Sequence, residues 1–168
     1  LAAGAKITEY LAIGAKEKIL GFVSLDGDPI ALGTRQGVVK RVSTGAWPSR
    51  PDFEVIALKP GDEVVGVSQG SDADELVFVT SDAQLLHFAA SAVRPQGASA
   101  AGMAGINLGP KATVTFFGTV DPAAANAVVT LSTSVATIAG ADPGRGKVSA
   151  LSEFPGKGRA TGGVRAHS

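Results

Sequence analysis

Fifteen Lys and Arg side chains, two histidines and no cysteine bound the chemistry open to this 168-residue chain. Without cysteine there is no thiolate nucleophile, no thiolate zinc site and no disulfide framework. His87 and His167 are the only imidazoles, no Gly-x-Ser-x-Gly elbow accompanies either, and no His-Glu-x-x-His metal spacing exists. His87, beside Phe88, reads as a partly exposed strand residue rather than a ligand or base. The run Gly156-Lys157-Gly158-Arg159-Ala160-Thr161-Gly162-Gly163 superficially suggests a phosphate loop, but it lacks the Gly-Lys-Ser/Thr ending and a following helix. The Asp and Glu residues mostly flank turns, where they cap and solvate. No catalytic residue and no metal ligand is assigned.

The cations are the remaining candidates, and their distribution matters more than their number. Net charge is zero, with 15 basic and 15 acidic residues. Yet residues 71–93 carry Asp72, Asp74, Glu75 and Asp82 with no Lys or Arg, whereas residues 145–168 carry Arg145, Lys147, Lys157, Arg159 and Arg165 against Glu153 alone. Such asymmetry creates a local positive surface that the total conceals. An ordinary solvated face is the competing reading.

The elements that would position these cations repeat. Ser91-Ala92-Val93-Arg94-Pro95-Gln96-Gly97-Ala98-Ser99-Ala100-Ala101-Gly102 returns as Ser152-Glu153-Phe154-Pro155-Gly156-Lys157-Gly158-Arg159-Ala160-Thr161-Gly162-Gly163, and each shared Ser or Gly recurs 61 positions later (152 − 91 = 61). Strand-like starts recur at Ile30, Leu76 and Val128, and strand-like ends at Lys18–Val23, Glu63–Val67 and Thr113–Gly118. The stretch Gly140–Gly146 reads as a lengthened hairpin tip that accounts for unequal spacing. Thr34-Arg35-Gln36-Gly37 and Thr80-Ser81-Asp82-Ala83 sit as tips between two strands. No window holds a persuasive helical period, residues 2–20 included, although Ser91 to Arg94 suits a single helical turn.

Units of several short strands, at the roughly 40–50 residues of a propeller blade, predict an all-β chain of about three to four blades. The expected units are a partial one at 1–27, then 28–70, 71–118 and 119–168. Each blade needs a neighbour to cover its faces and edges. Three to four blades point to an open arc or an incomplete ring. The chain opens on Leu1 and stops where its repeat is still running, so it reads as a fragment of a longer polypeptide. No apolar run reaches the ~18 residues of a membrane span, and no signal-peptide layout is present, which makes a cytoplasmic location the expectation, with no membrane partner.

At these residues the chain resembles the C-terminal domain of type IIA DNA topoisomerase A subunits, the family of DNA gyrase and topoisomerase IV. The matching pieces are Ile30 to Val42 with Gly61-Asp62-Glu63-Val64-Val65, Leu76 to Phe88 with Ser91 to Leu108, and Ser152-Glu153-Phe154 with Gly158-Arg159-Ala160-Thr161-Gly162. The resemblance covers nearly the whole chain and implies a β-pinwheel, a propeller-like disc whose blades exchange hairpins and whose positive rim bends duplex DNA. It implies a non-catalytic domain with no cofactor of its own; the parent enzyme would use ATP and Mg on other domains. Implied partners are duplex DNA, the B subunit, which such enzymes pair with, plus the remainder of the A subunit.

Wrapping without sequence preference needs cations spaced along a convex edge. The expected DNA contacts are Arg35, Lys40, Arg41, Arg94, Lys147, Lys157, Arg159 and Arg165, with only one of the adjacent Lys40 and Arg41 facing the DNA because strand neighbours point opposite ways. Ala98 stands where the family motif has Arg, whereas Arg159 keeps it, and His87 takes the place of Arg41 46 residues on; these variable positions are where DNA affinity would be set. The Gln-Arg-Arg-Gly-Gly-Lys-Gly heptapeptide of gyrase is absent, which favours a topoisomerase IV-like relative. Tyr10 does not match the family's catalytic tyrosine, which follows an arginine in an upstream domain. The rival reading is a propeller-like protein-interaction scaffold without DNA binding.

Overall fold

The structure is a computed structural model, and it describes residues 4–14, 16–45, 47–133 and 144–167. Runs of β-branched and aliphatic residues closed by turns give ten strands among the described residues: β1 (Ile30–Thr34), β2 (Val38–Val42), β3 (Val64–Gln69), β4 (Glu75–Thr80), β5 (Gln84–Ala89), β6 (Met103–Ala104), β7 (Val114–Val120), β8 (Ala127–Ser132), β9 (Arg145–Ala150) and β10 (Val164–Arg165). Helical structure among the described residues is confined to 3-10 turns at Ile7–Glu9, Ala90–Ala92 and Leu151–Glu153. The expected all-β fold is thus observed, and the turn expected at Ser91–Arg94 is a 3-10 turn starting one residue earlier.

The repeat is visible in hydrogen bonds. In the β1–β2 hairpin the amide of Gly37 donates to Thr34 O and that of Val38 to Thr34 Oγ1. In the β4–β5 hairpin Ala83 donates to Thr80 O and Gln84 to Thr80 Oγ1. Both threonines are buried, so each hydroxyl satisfies an amide that the tight tip would otherwise orphan. Each third strand also breaks register at the matching place, between Gly33 and Thr34 and between Val79 and Thr80.

Two four-stranded antiparallel blades result, in the orders β3-β1-β2-β6 and β10-β5-β4-β7, beside the two-stranded β8-β9 sheet. Three strands of each blade come from one unit and the fourth from the next: Met103 pairs with Val39, and Val164 with Leu85. The blades therefore exchange strands, as a pinwheel does.

Period-two alternation in β4 explains the packing. Leu76 and Phe78 face the first blade, in a core with Ala31, Val39, Leu86, Phe88, Ile106, Val114 and Phe117. Phe78 lies 4.8 Å from Phe117 and 6.2 Å from Phe88 between ring centroids. Val77, on the opposite face, packs with Leu85, Leu151, Phe154 and Ala166 toward β8–β9. Glycine lets the blades approach: a Cβ on Gly33 or Gly66 would collide with Phe117. A third cluster, Ile30, Leu32, Val42 and Ile56, is covered by Val23 and Trp47.

Lys18–Val23 departs from expectation because it forms no strand. It lacks a ladder partner, yet Gly21 faces Val67 as Gly66 faces Phe117, so it occupies the third-strand place without the pairing. The hairpin joining β8 to β9 is present, with Ser132 opposite Arg145, while most of the expected lengthened tip lies outside the described residues.

Candidate functional site

The outer edge of the second blade gathers four of the predicted cations. There β10 lies along β5, Arg165 opposite Gln84, and the segment leading to it is tied down by backbone bonds. Lys157 donates to His87 O at 3.2 Å, Ala160 to Gly105 O at 2.7 Å and Ala166 to Ala83 O at 2.8 Å. A firmly held edge fixes side chains that a free loop would scatter.

Each cation on this edge anchors to a carbonyl rather than a carboxylate. Lys147 Nζ donates to Ala166 O at 3.1 Å, Arg159 Nη1 to Ala104 O at 2.6 Å and Arg165 Nε to His167 O at 3.2 Å. Lys157 Nζ lies 3.4 Å from Gly163 O and 3.5 Å from Gly162 O. Carbonyl contacts orient these groups without neutralising them, and each ammonium or guanidinium keeps further donors. Among the described residues the ion pairs join Arg35 to Glu63, Arg41 to Asp72 and His87 to Glu75, so none of the four is paired. Glu153, the one carboxylate of this stretch, turns back to accept the amide of Ala150. Lys147, Lys157 and Arg165 are exposed and Arg159 is half-buried.

The other predicted contacts divide. Arg94 is exposed just beyond the Ala90–Ala92 turn and makes no ion pair among the described residues. Arg35 protrudes at the first hairpin tip, but its guanidinium sits 2.7 Å from Glu63, which offsets its charge.

Lys40 and Arg41 correct the sequence expectation, since both are fully buried. Alternation does send them opposite ways, but both faces of β2 are covered. Lys40 meets the loops around Val55 and Ala98, and Arg41 meets the next unit. Arg41 donates to Gly70 O at 3.1 Å, Ala90 O at 3.0 Å and Val93 O at 3.3 Å, and pairs with Asp72. His87 is buried as well, against the expectation of partial exposure. Its Nε2 donates to Phe154 O at 2.9 Å, and its Nδ1 lies 2.7 Å from Glu75 Oε2. Arg41 and His87 thus join blades to one another, and the difference between them cannot set DNA affinity by contact. Desolvation by burial holds Lys40 below the usual lysine value of 10.5.

Known proteins share this architecture. A protein-family model described as the DNA gyrase C-terminal domain, beta-propeller, matches residues 74–121 and 144–166, which include the cationic edge. The DNA gyrase A subunit of Salmonella typhimurium is 29% identical over 169 residues, covering 97% of this chain and 18% of that one. The chain thus spans under a fifth of the length of this curated relative. A solved C-terminal domain of DNA topoisomerase IV superposes with a TM-score of 0.78 at 26% identity, covering 96% of this chain and 49% of that domain. A DNA gyrase A C-terminal domain gives a TM-score of 0.75 at 18% identity, covering 95% and 52%, and supports the fold alone.

Proposed function

Because this chain belongs to the family of C-terminal β-pinwheel domains of type IIA DNA topoisomerase A subunits, we propose that it binds duplex DNA along the outer edge of its blades and bends it. The observation that carries this reading is the edge formed by Lys147, Lys157, Arg159 and Arg165, four cations with no carboxylate partner among the described residues. Carbonyl-anchored cations suit phosphates whose positions repeat regularly and whose bases go unread. Arg94 extends the surface, and Arg35 contributes only where DNA competes with Glu63.

The role is DNA capture within a longer enzyme that changes DNA topology, with the chemistry of strand passage supplied by the B subunit together with the rest of the A subunit. The chain is a single domain whose units run approximately 1–27, 28–70, 71–118 and 119–168. Its place is the cytoplasm, where such an enzyme meets the chromosome. No helix among the described residues is long and apolar enough to cross a membrane.

A labelled duplex titrated with the chain at rising salt tests the reading. Affinity falls linearly in log–log form, with a slope of about −0.9 per phosphate neutralised, and end-to-end energy transfer in the duplex rises as it bends. Absence of binding at low salt overturns the proposal.

A further inference from the structure

The Gly97–Ala101 loop has two unlike faces. On its inner face the Lys40 ammonium meets three main-chain oxygens, Val55 O at 2.8 Å, Ala98 O at 2.6 Å and Ala100 O at 2.7 Å. Three N–H donors are matched by three acceptors, and no carboxylate among the described residues pairs with them. The loop is closed on itself by Ala100 N donating to Gly97 O at 3.1 Å, and Ala100 O also accepts Ala57 N at 3.3 Å.

The outer face follows from peptide geometry. In a trans peptide the C=O and N–H point to opposite sides, and no peptide bond among the described residues is cis. With the carbonyls of Ala98 and Ala100 drawn down onto Lys40, the amides of Ser99 and Ala101 are turned away from it. Neither amide has an acceptor among the described residues, both residues lie at least partly open to solvent, and the space outside Gly97 is open. Asp52 and Glu54, on the neighbouring stretch, are exposed and make no hydrogen bond to the loop.

We propose that Gly97–Ala101 is a phosphate-binding loop, in which the Ser99 and Ala101 amides take a phosphodiester oxygen of duplex DNA and buried Lys40 supplies the counter-charge from beneath. The inference rests on the DNA-binding reading above and deepens it. It also accounts for an exchange between the blades. At the equivalent places of the second blade Leu86 replaces Lys40 and Arg159 replaces Ala98, so the cation lies under the loop in one blade and on it in the other. Lys40 is a positioning residue, acting on the ligand through the loop.

The test follows the backbone amides of the full chain by NMR during two titrations, one with a short duplex and one with inorganic phosphate. The amide protons of Ser99 and Ala101 shift downfield and saturate in both. In Lys40→Met the shifts vanish and duplex Kd rises about tenfold, the scale of one charge-assisted hydrogen bond. A duplex that binds while leaving both amides unmoved overturns the proposal and spares the DNA-binding reading. If no duplex binds, the phosphate titration decides the loop by itself: movement of the two amides supports an anion site, and stillness overturns it. Should Lys40→Met fail to fold, the wild-type titrations suffice.

Discussion

Arg41 and His87 stand 46 residues apart at equivalent places in β2 and β5, and each donates to a carbonyl just past the 3-10 turn of the following unit, Val93 O in one case and Phe154 O in the other. Two side chains of different shape therefore perform one task, holding a blade to its successor.

Their removal should not cost the same. Arg41→Met orphans Gly70 O and Val93 O, while Ala90 O keeps the amide of Val93, whereas His87→Leu orphans Phe154 O alone and leaves Glu75 unpaired. Each orphaned acceptor costs about 1–3 kcal/mol, so urea unfolding should rank Arg41→Met as the more damaging. The opposite ranking would show that the Glu75 contact dominates.

Lys40 gives the stability curve a definite slope at alkaline pH. Burial lowers its folded-state value below 10.5, so between that lowered value and 10.5 the unfolded chain binds more protons than the folded one. Stability contributed by this site therefore rises with pH across the window. Lys40→Met should flatten the wild-type curve there, and parallel curves for the two proteins would refute the linkage. Phosphate binding should respond oppositely, weakening as the ammonium discharges.

At the tip of the β4–β5 hairpin Ala83 has φ 59°, where the matching tip of the first blade has Gly37 at φ 84°. The left-handed conformation costs a side-chain-bearing residue about 1–2 kcal/mol, partly offset by the greater unfolded-state entropy of glycine. Ala83→Gly should raise the melting temperature by about 1–4 °C. A lowered melting point would mean that the Ala83 methyl packs more than its position suggests.

Salt dependence separates the unpaired edge cations from the paired guanidinium at the hairpin tip. Replacing Lys157 and Arg165 by Ala should flatten the log Kd against log salt line by about 0.9 for each phosphate no longer neutralised. Arg35→Ala should change it less, since Glu63 already balances that guanidinium. Equal effects from the two sets would indicate that the DNA path runs over the hairpin tips.

Much of the scaffold was legible from spacing. The 61-residue echo between Ala92 and Glu153 is the recurrence of a 3-10 turn, and the matched threonines at 34 and 80 mark hairpins with the same internal bonds. The burial of Lys40 and Arg41 was not legible from alternation, which distributes neighbours between faces but cannot say that both faces are covered. A signal did exist: Leu86 stands 46 residues after Lys40, and an apolar residue at the repeat position marks an interior site. The failed strand at Lys18–Val23 has the converse cause, since its residues suit a sheet but meet no partner.

The borrowing of β6 by the first blade and of β10 by the second also dictates an order of events during synthesis. Met103 leaves the ribosome 64 residues after Val39 (103 − 39 = 64), and Val164 leaves 79 residues after Leu85 (164 − 85 = 79). At ~5–20 residues per second, β2 and β5 each wait about 3–16 s with an unsealed flank. Translation speed thus acts on assembly: a pause after one unit prolongs the exposure of its unfinished edge, and a cut at a unit boundary removes the closing strand of the unit before it.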